Sequence, residues 1–106
     1  MKELVDLIDE VSKAFINNEG MKYKPLLNEL YGKLLEVIPI IIASYAMPEM
    51  REYSQDALFW PAQLERVILA MQTRDVFNFV DTVYYETRSA LVNYDRIIDE
   101  KKLQIF

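Results

Sequence analysis

The densest run of side chains that could do chemistry stands late in the chain, at Asp81, Tyr84, Tyr85, Glu86 and Arg88. On a helix advancing about 100° per residue, Tyr85 lies roughly opposite a seam of Val76, Val80 and Val83. Asp81 and Tyr85 fall one turn apart, and Asp81 and Arg88 two turns apart on the same side. Glu86 leans towards the other edge of the seam, where a basic residue of a neighbouring helix such as Arg66 could meet it. These groups suit surface hydrogen bonding and ion pairing, with tyrosine rings buried and hydroxyls wet. A rival reading gathers Tyr31, Tyr45, Tyr84 and Glu86 around an interior pocket, where a buried Glu86 would serve a small-molecule or enzymatic site.

Composition removes most other chemistry. With no cysteine and no histidine, disulfides, thiolate nucleophiles, Cys/His zinc sites and an imidazole base are excluded. The Glu-x-x-His pattern of helical di-iron sites goes with them, and no acidic run has the spacing of a calcium loop. Ser12, Ser44, Ser54 and Ser89 lie outside any Gly-x-Ser-x-Gly context. The only glycines, Gly20 and Gly32, form no phosphate loop. Gly32 interrupts a strong helical pattern, which predicts a close helix–helix approach there. The expectation is a protein that is not an enzyme and holds no metal or cofactor.

The net charge is −5, and Lys and Arg are scattered, the closest cluster being Lys22 and Lys24. A nucleic-acid binder of this size would carry a basic face, and an acidic surface does not favour anionic lipid. The longest apolar run, residues 37–43, is far short of the roughly 20 residues that span a bilayer. The opening MKELVD shows no signal-peptide pattern. A soluble, cytoplasmic protein with no nucleic-acid or membrane partner is expected.

The elements that must position these groups are helical. In 106 residues, 52% hydrophobic and 27% charged, with few glycines and prolines, one domain with its own core is expected over residues 1–106. Leu4, Leu7, Ile8, Val11 and Phe15 make one stripe over residues 2 to about 17, and Asn17 to Gly20 supply a stop, with Gly20 able to turn left-handed. A second helix is predicted from Lys24 and Pro25, with a wide stripe from Leu27 to Tyr45 that should make it the most buried and a kink at Pro39. Met47-Pro48-Glu49 marks a boundary, and the stretch to Ser54 reads as loop or short helix. From about Ser54, Ala57, Trp60, Leu64, Val67, Ile68 and Met71 recur at helical steps; Pro61 either distorts this helix or begins it. Thr73 or Asp75 could cap a last helix running to about Lys102, with Val76, Val80, Val83, Thr87, Leu91, Tyr94 and Ile98 as its seam. Phe79, Ala90 and Ile97 flank one edge of that seam. Four helices with short connections predict an all-α, antiparallel four-helix bundle with proline kinks in the two middle helices.

Aromatic residues exceed what these inner stripes need, and aromatics are enriched where proteins meet. Phe59 and Trp60 are neighbours, so both cannot face inward fully; Tyr85 and Val92 make an outward patch on the last helix. Phe59, Trp60, Tyr84 and Tyr85 are therefore the candidate partner-binding residues. The expected role is a non-enzymatic module that self-associates or holds a helical partner in a groove.

The run Leu34-Leu35-Glu36-Val37-Ile38-Pro39, then LERVILAM at residues 64–71 and Asp81-Thr82-Val83-Tyr84-Tyr85-Glu86, resembles small bacterial helical-bundle proteins of uncharacterised function. The likeness covers about the last two-thirds of the chain. The general shape also looks like the flagellin-type export chaperones, which hold a partner's helical tail in apolar grooves. No defining motif of that family stands in the chain, so no residue role is carried over.

Overall fold

The computed structural model describes residues 1–17 and 20–106, with side chains for 1–17 and 23–106. It is an all-α bundle of four helices. Helix α1 (Lys2–Ile16) leads to α2 (Gly20–Ser44), a short 3-10 helix (Pro48–Tyr53) runs directly into α3 (Ser54–Gln72), and the fourth helix is built of α4 (Val76–Thr82), a π-helical turn (Val83–Thr87) and α5 (Arg88–Glu100). The chain direction changes by 102° between residues 23–44 and 48–72. The molecule measures 44 × 24 × 19 Å.

Helix α1 follows from its spacing. Leu4, Leu7, Ile8, Val11 and Ala14 fall on one face and are all buried, while Glu3 in the first turn and Lys13 in the last complement the helix dipole. It packs chiefly on α2, whose Leu27, Leu30, Leu34, Ile38 and Ile41 supply the facing stripe. Burying side chains of this size contributes about 1.5–3 kcal/mol each. Contrary to expectation α2 is not the most buried helix. Its stripe is wider than its neighbours can cover, and Leu35 and Ile40 remain exposed, whereas α1 puts six of its 15 residues in the core.

Helix α2 starts at Gly20, four residues ahead of Lys24, so Gly20 opens a helix rather than ending one. Asn18 and Glu19 of the expected stop, and the side chain of Lys22, lie outside the described residues. Pro25 and Pro39 fall inside α2 and Pro61 inside α3, and all three are exposed. A proline removes one backbone donor. The carbonyl left without its partner at Pro39 belongs to Leu35, also exposed, so water can satisfy it and the helix continues. Pro61 therefore does not begin α3, which starts at Ser54.

The junctions are set by local hydrogen bonds. Asp75 caps α4, its Oδ1 accepting from the Asn78 backbone N–H at 3.0 Å. Arg74 turns left-handed, with φ 57°, to end α3. At the C-terminus of α5, Lys102 does the same with φ 54°. Its N–H donates to the Asp99 carbonyl at 3.1 Å and that of Leu103 to the Ile98 carbonyl at 2.9 Å, the paired bonds of a Schellman motif.

Gly32 is exposed, and a Cβ there would meet nothing within 4 Å, so the expected close helix approach does not occur. The glycine only loosens an exposed helix interior. Gly32→Ala should raise stability by about 0.5–1 kcal/mol. Lys102→Gly, which relieves a left-handed side-chain-bearing residue, should raise it by about the same amount. Thermal unfolding should show both midpoints several degrees above wild type.

Candidate functional site

Two buried polar bonds set the orientation of the fourth helix. At the end of α2, Ser44 donates to the Ile41 carbonyl at 2.6 Å, and its Oγ lies 2.6 Å from the Tyr94 hydroxyl of α5. From α3, Gln63 Nε2 donates to Thr87 Oγ1 at 2.6 Å. Gln63 and Thr87 are 1% and 0% exposed. Gln63 sits between Trp60 and Val67 at the three- and four-residue steps of the buried α3 face, and Thr87 lies in the π turn. Gln63 Oε1 has no hydrogen-bond partner among the described residues, a deficit that costs about 1–3 kcal/mol.

The π turn places Val83 and Thr87 inside and Tyr84 and Tyr85 outside. Tyr84 and Tyr85 contact edge to face, with ring centres 5.2 Å apart. Together with Phe15 and Ile16 of α1 and Phe77 and Val80 of α4 they line a groove of about 170 Å³. Its mouth is unusually apolar for a free surface: Ile16 is 76% exposed, Phe77 69% and Tyr85 69%. The groove shares Ser12, Ile16 and Tyr84 with a polar cleft of about 300 Å³ that extends along α1. That cleft holds a bidentate ion pair, in which Arg88 Nε and Nη2 donate to Asp9 Oδ1 and Oδ2 at 2.6 and 3.0 Å. The Asp9 carboxylate pushes the Arg88 guanidinium above its usual range. The pair ties α5 to α1, and being half exposed it contributes about 1 kcal/mol or less.

Sequence-predicted residues divide cleanly. Tyr84 and Tyr85 line the groove; Phe59 and Trp60 do not. Trp60 is 2% exposed and packs on Tyr94 with ring centres 6.3 Å apart, so it is a core residue and not a contact candidate. It falls on the buried stripe with Gln63, Val67 and Ala70 and can only point inward. Phe59, 36% exposed, leans edge-on against Trp60 at 5.3 Å. Phe79, placed by periodicity at the seam's edge, is fully buried against Tyr31, with ring centres 4.7 Å apart. Glu86 does meet Arg66, at 2.5 Å across to α3. Arg88 pairs with Asp9 of α1.

The rival interior pocket is not formed. Tyr31 packs on Phe79, Tyr45 on Tyr94, Tyr84 on Tyr85, and Glu86 reaches out to Arg66. Among the described residues no cluster of acidic side chains could hold a metal ion, and no single helix is long and apolar enough to cross a membrane. Sequence reasoning missed Ile16 and Phe77, whose partnership across two helices leaves no trace in local periodicity. No family model, curated protein or solved structure matches the chain.

The buried pair gives a direct test. Thr87→Val strips the Gln63 amide of its only partner among the described residues and should cost about 1–3 kcal/mol in urea unfolding. Adding Gln63→Met, which also removes the orphaned oxygen, should recover most of that loss; a double variant less stable than Thr87→Val would contradict the assignment.

The tyrosines give a pH signature. Burial pushes Tyr45 up from 10.0 to about 12, partly offset by the Trp60 indole, and burial also raises Tyr31 and Tyr94. Above pH 10 the unfolded chain loses these protons before the folded one does. Stability should therefore be full below about pH 10 and fall as pH rises towards about 12. Denaturant midpoints against pH should show that fall, and Tyr45→Phe should make it shallower.

Proposed function

We propose that the protein is a non-enzymatic interaction module that holds an amphipathic helix of a partner protein in the groove between α1 and the fourth helix. The observation that carries this reading is the contiguous exposed strip of Ile16, Phe77, Tyr84 and Tyr85 around that groove. Single exposed apolar residues are ordinary; a connected aromatic patch over a concave surface is a feature of binding sites. Its volume suits one inserted apolar side chain, with the two tyrosines supplying rigid rings and hydrogen-bonding hydroxyls at little entropic cost. Such helix-in-groove docking needs no cofactor and fits a cytoplasmic protein.

A synthetic amphipathic helix with leucines on one face and glutamines flanking them provides the probe. Phe77→Ser with Tyr85→Ser, both at exposed positions, should weaken its binding by at least about tenfold while circular dichroism keeps its helical signal. Leu58→Ser with Leu69→Ser on α3, positions 72% and 61% exposed, should leave binding unchanged. The reverse pattern would contradict the assignment.

A further inference from the structure

A second, larger groove runs on the other flank of α1, between α1 and α2, with a volume of about 480 Å³. Its apolar lining comes from Leu4 and Leu7 of α1 and Val37 of α2, together with Met1 and Phe106. Its rims are acidic. Glu3, Asp6 and Glu10 stand along α1 at steps of three and four residues, and Glu29 and Glu36 along α2 at a step of seven. All five are exposed, and none makes an ion pair among the described residues. Among the described residues Lys33 is the one basic side chain lining the groove.

Seven residues of helix cover about 10 Å, so each acidic row extends for about two turns beside the apolar floor. The α1 row carries three carboxylates and the α2 row two with Lys33 between them, so both rims are net negative and repel, and a ligand carrying positive charge on both sides relieves that repulsion. The floor calls for apolar side chains between those charges. One partner surface combines the two over this length: a helix with apolar residues at i, i+3 or i+4, and i+7, flanked by Lys or Arg. The volume lies within the usual range of binding clefts, about 300–1,000 Å³. The aromatic groove differs in kind, since among the described residues Asp81 is the only charged one lining it.

We propose that the groove between α1 and α2 is a second docking surface, for a Lys- or Arg-flanked amphipathic helix of a partner protein. It does not depend on occupation of the aromatic groove.

The test is fluorescence anisotropy with a capped synthetic helix of about 14 residues, leucines on one face and lysines on both flanks, in low salt. The probe should bind the wild-type protein, and Glu10→Gln, Glu29→Gln and Glu36→Gln together should weaken binding by at least about tenfold. A second triple variant, Glu49→Gln, Glu65→Gln and Asp99→Asn, changes the net charge equally at exposed positions elsewhere and should weaken binding by less than about threefold. Equal loss in both triples would reduce the effect to net charge and overturn the proposal. So would equal binding of a scrambled, non-amphipathic isomer of the probe, or no binding of the probe at all. Phe77→Ser with Tyr85→Ser should leave the lysine-flanked probe unaffected. Loss of binding in that variant would move the basic helix to the aromatic groove and overturn this proposal while leaving the other reading intact.

Discussion

The arrangement depends on how the fourth helix is rotated about its own axis, and two buried polar bonds fix that rotation. Tyr94 to Ser44 ties it to α2, and Thr87 to Gln63 ties it to α3. Apolar packing alone is permissive about small rotations, because one aliphatic contact resembles another. A buried hydrogen bond is not, since losing it strands a polar group away from water. With both bonds made, Val80, Val83, Leu91 and Ile97 face the core, and Phe77, Tyr84 and Tyr85 face α1 and solvent. The π turn ends at the first of these anchors, since Thr87 belongs to both the turn and the bond. Such turns are frequent at functional sites, where they re-aim side chains that a regular helix would place elsewhere.

Much of this was legible in the sequence. The apolar stripes locate all four helices, Asp75 was one of two caps that local chemistry offered, and the Glu86–Arg66 pair follows from the angular position of Glu86, while the start of the third helix stayed open between Ser54 and Pro61. What failed to show has a common cause. Whether Gly32 meets another helix, how much of the α2 stripe is covered, and whether Phe79 or Val76 lies deeper all depend on the neighbour's position rather than on the residue's own helix. The π turn is of the same kind, because its extra residue is absorbed by tertiary packing and leaves the spacing of Val83, Thr87 and Leu91 looking regular. The aromatic groove was half visible: Tyr84 and Tyr85 stood out by type, while Ile16 and Phe77 gained meaning only from being placed beside them.

Helix α1 is the wall common to both grooves. Its inward stripe is fully used by α2 and the fourth helix, and its two outer edges differ in chemistry. One edge ends in the apolar pair Phe15 and Ile16 facing aromatic rings; the other carries Glu3, Asp6 and Glu10. A 15-residue helix thus serves both as core and as two distinct surfaces. The Arg88–Asp9 pair holds it against the fourth helix where the aromatic groove meets the polar cleft.

The most direct measurement is a solution NMR map of methyl and aromatic shifts as the glutamine-flanked helix is added. The account predicts the largest changes at Ile16, Phe77, Val80, Tyr84 and Tyr85, with Leu58 and Leu69 unmoved. Largest changes on α3, or none in the aromatic groove at saturation, would contradict it.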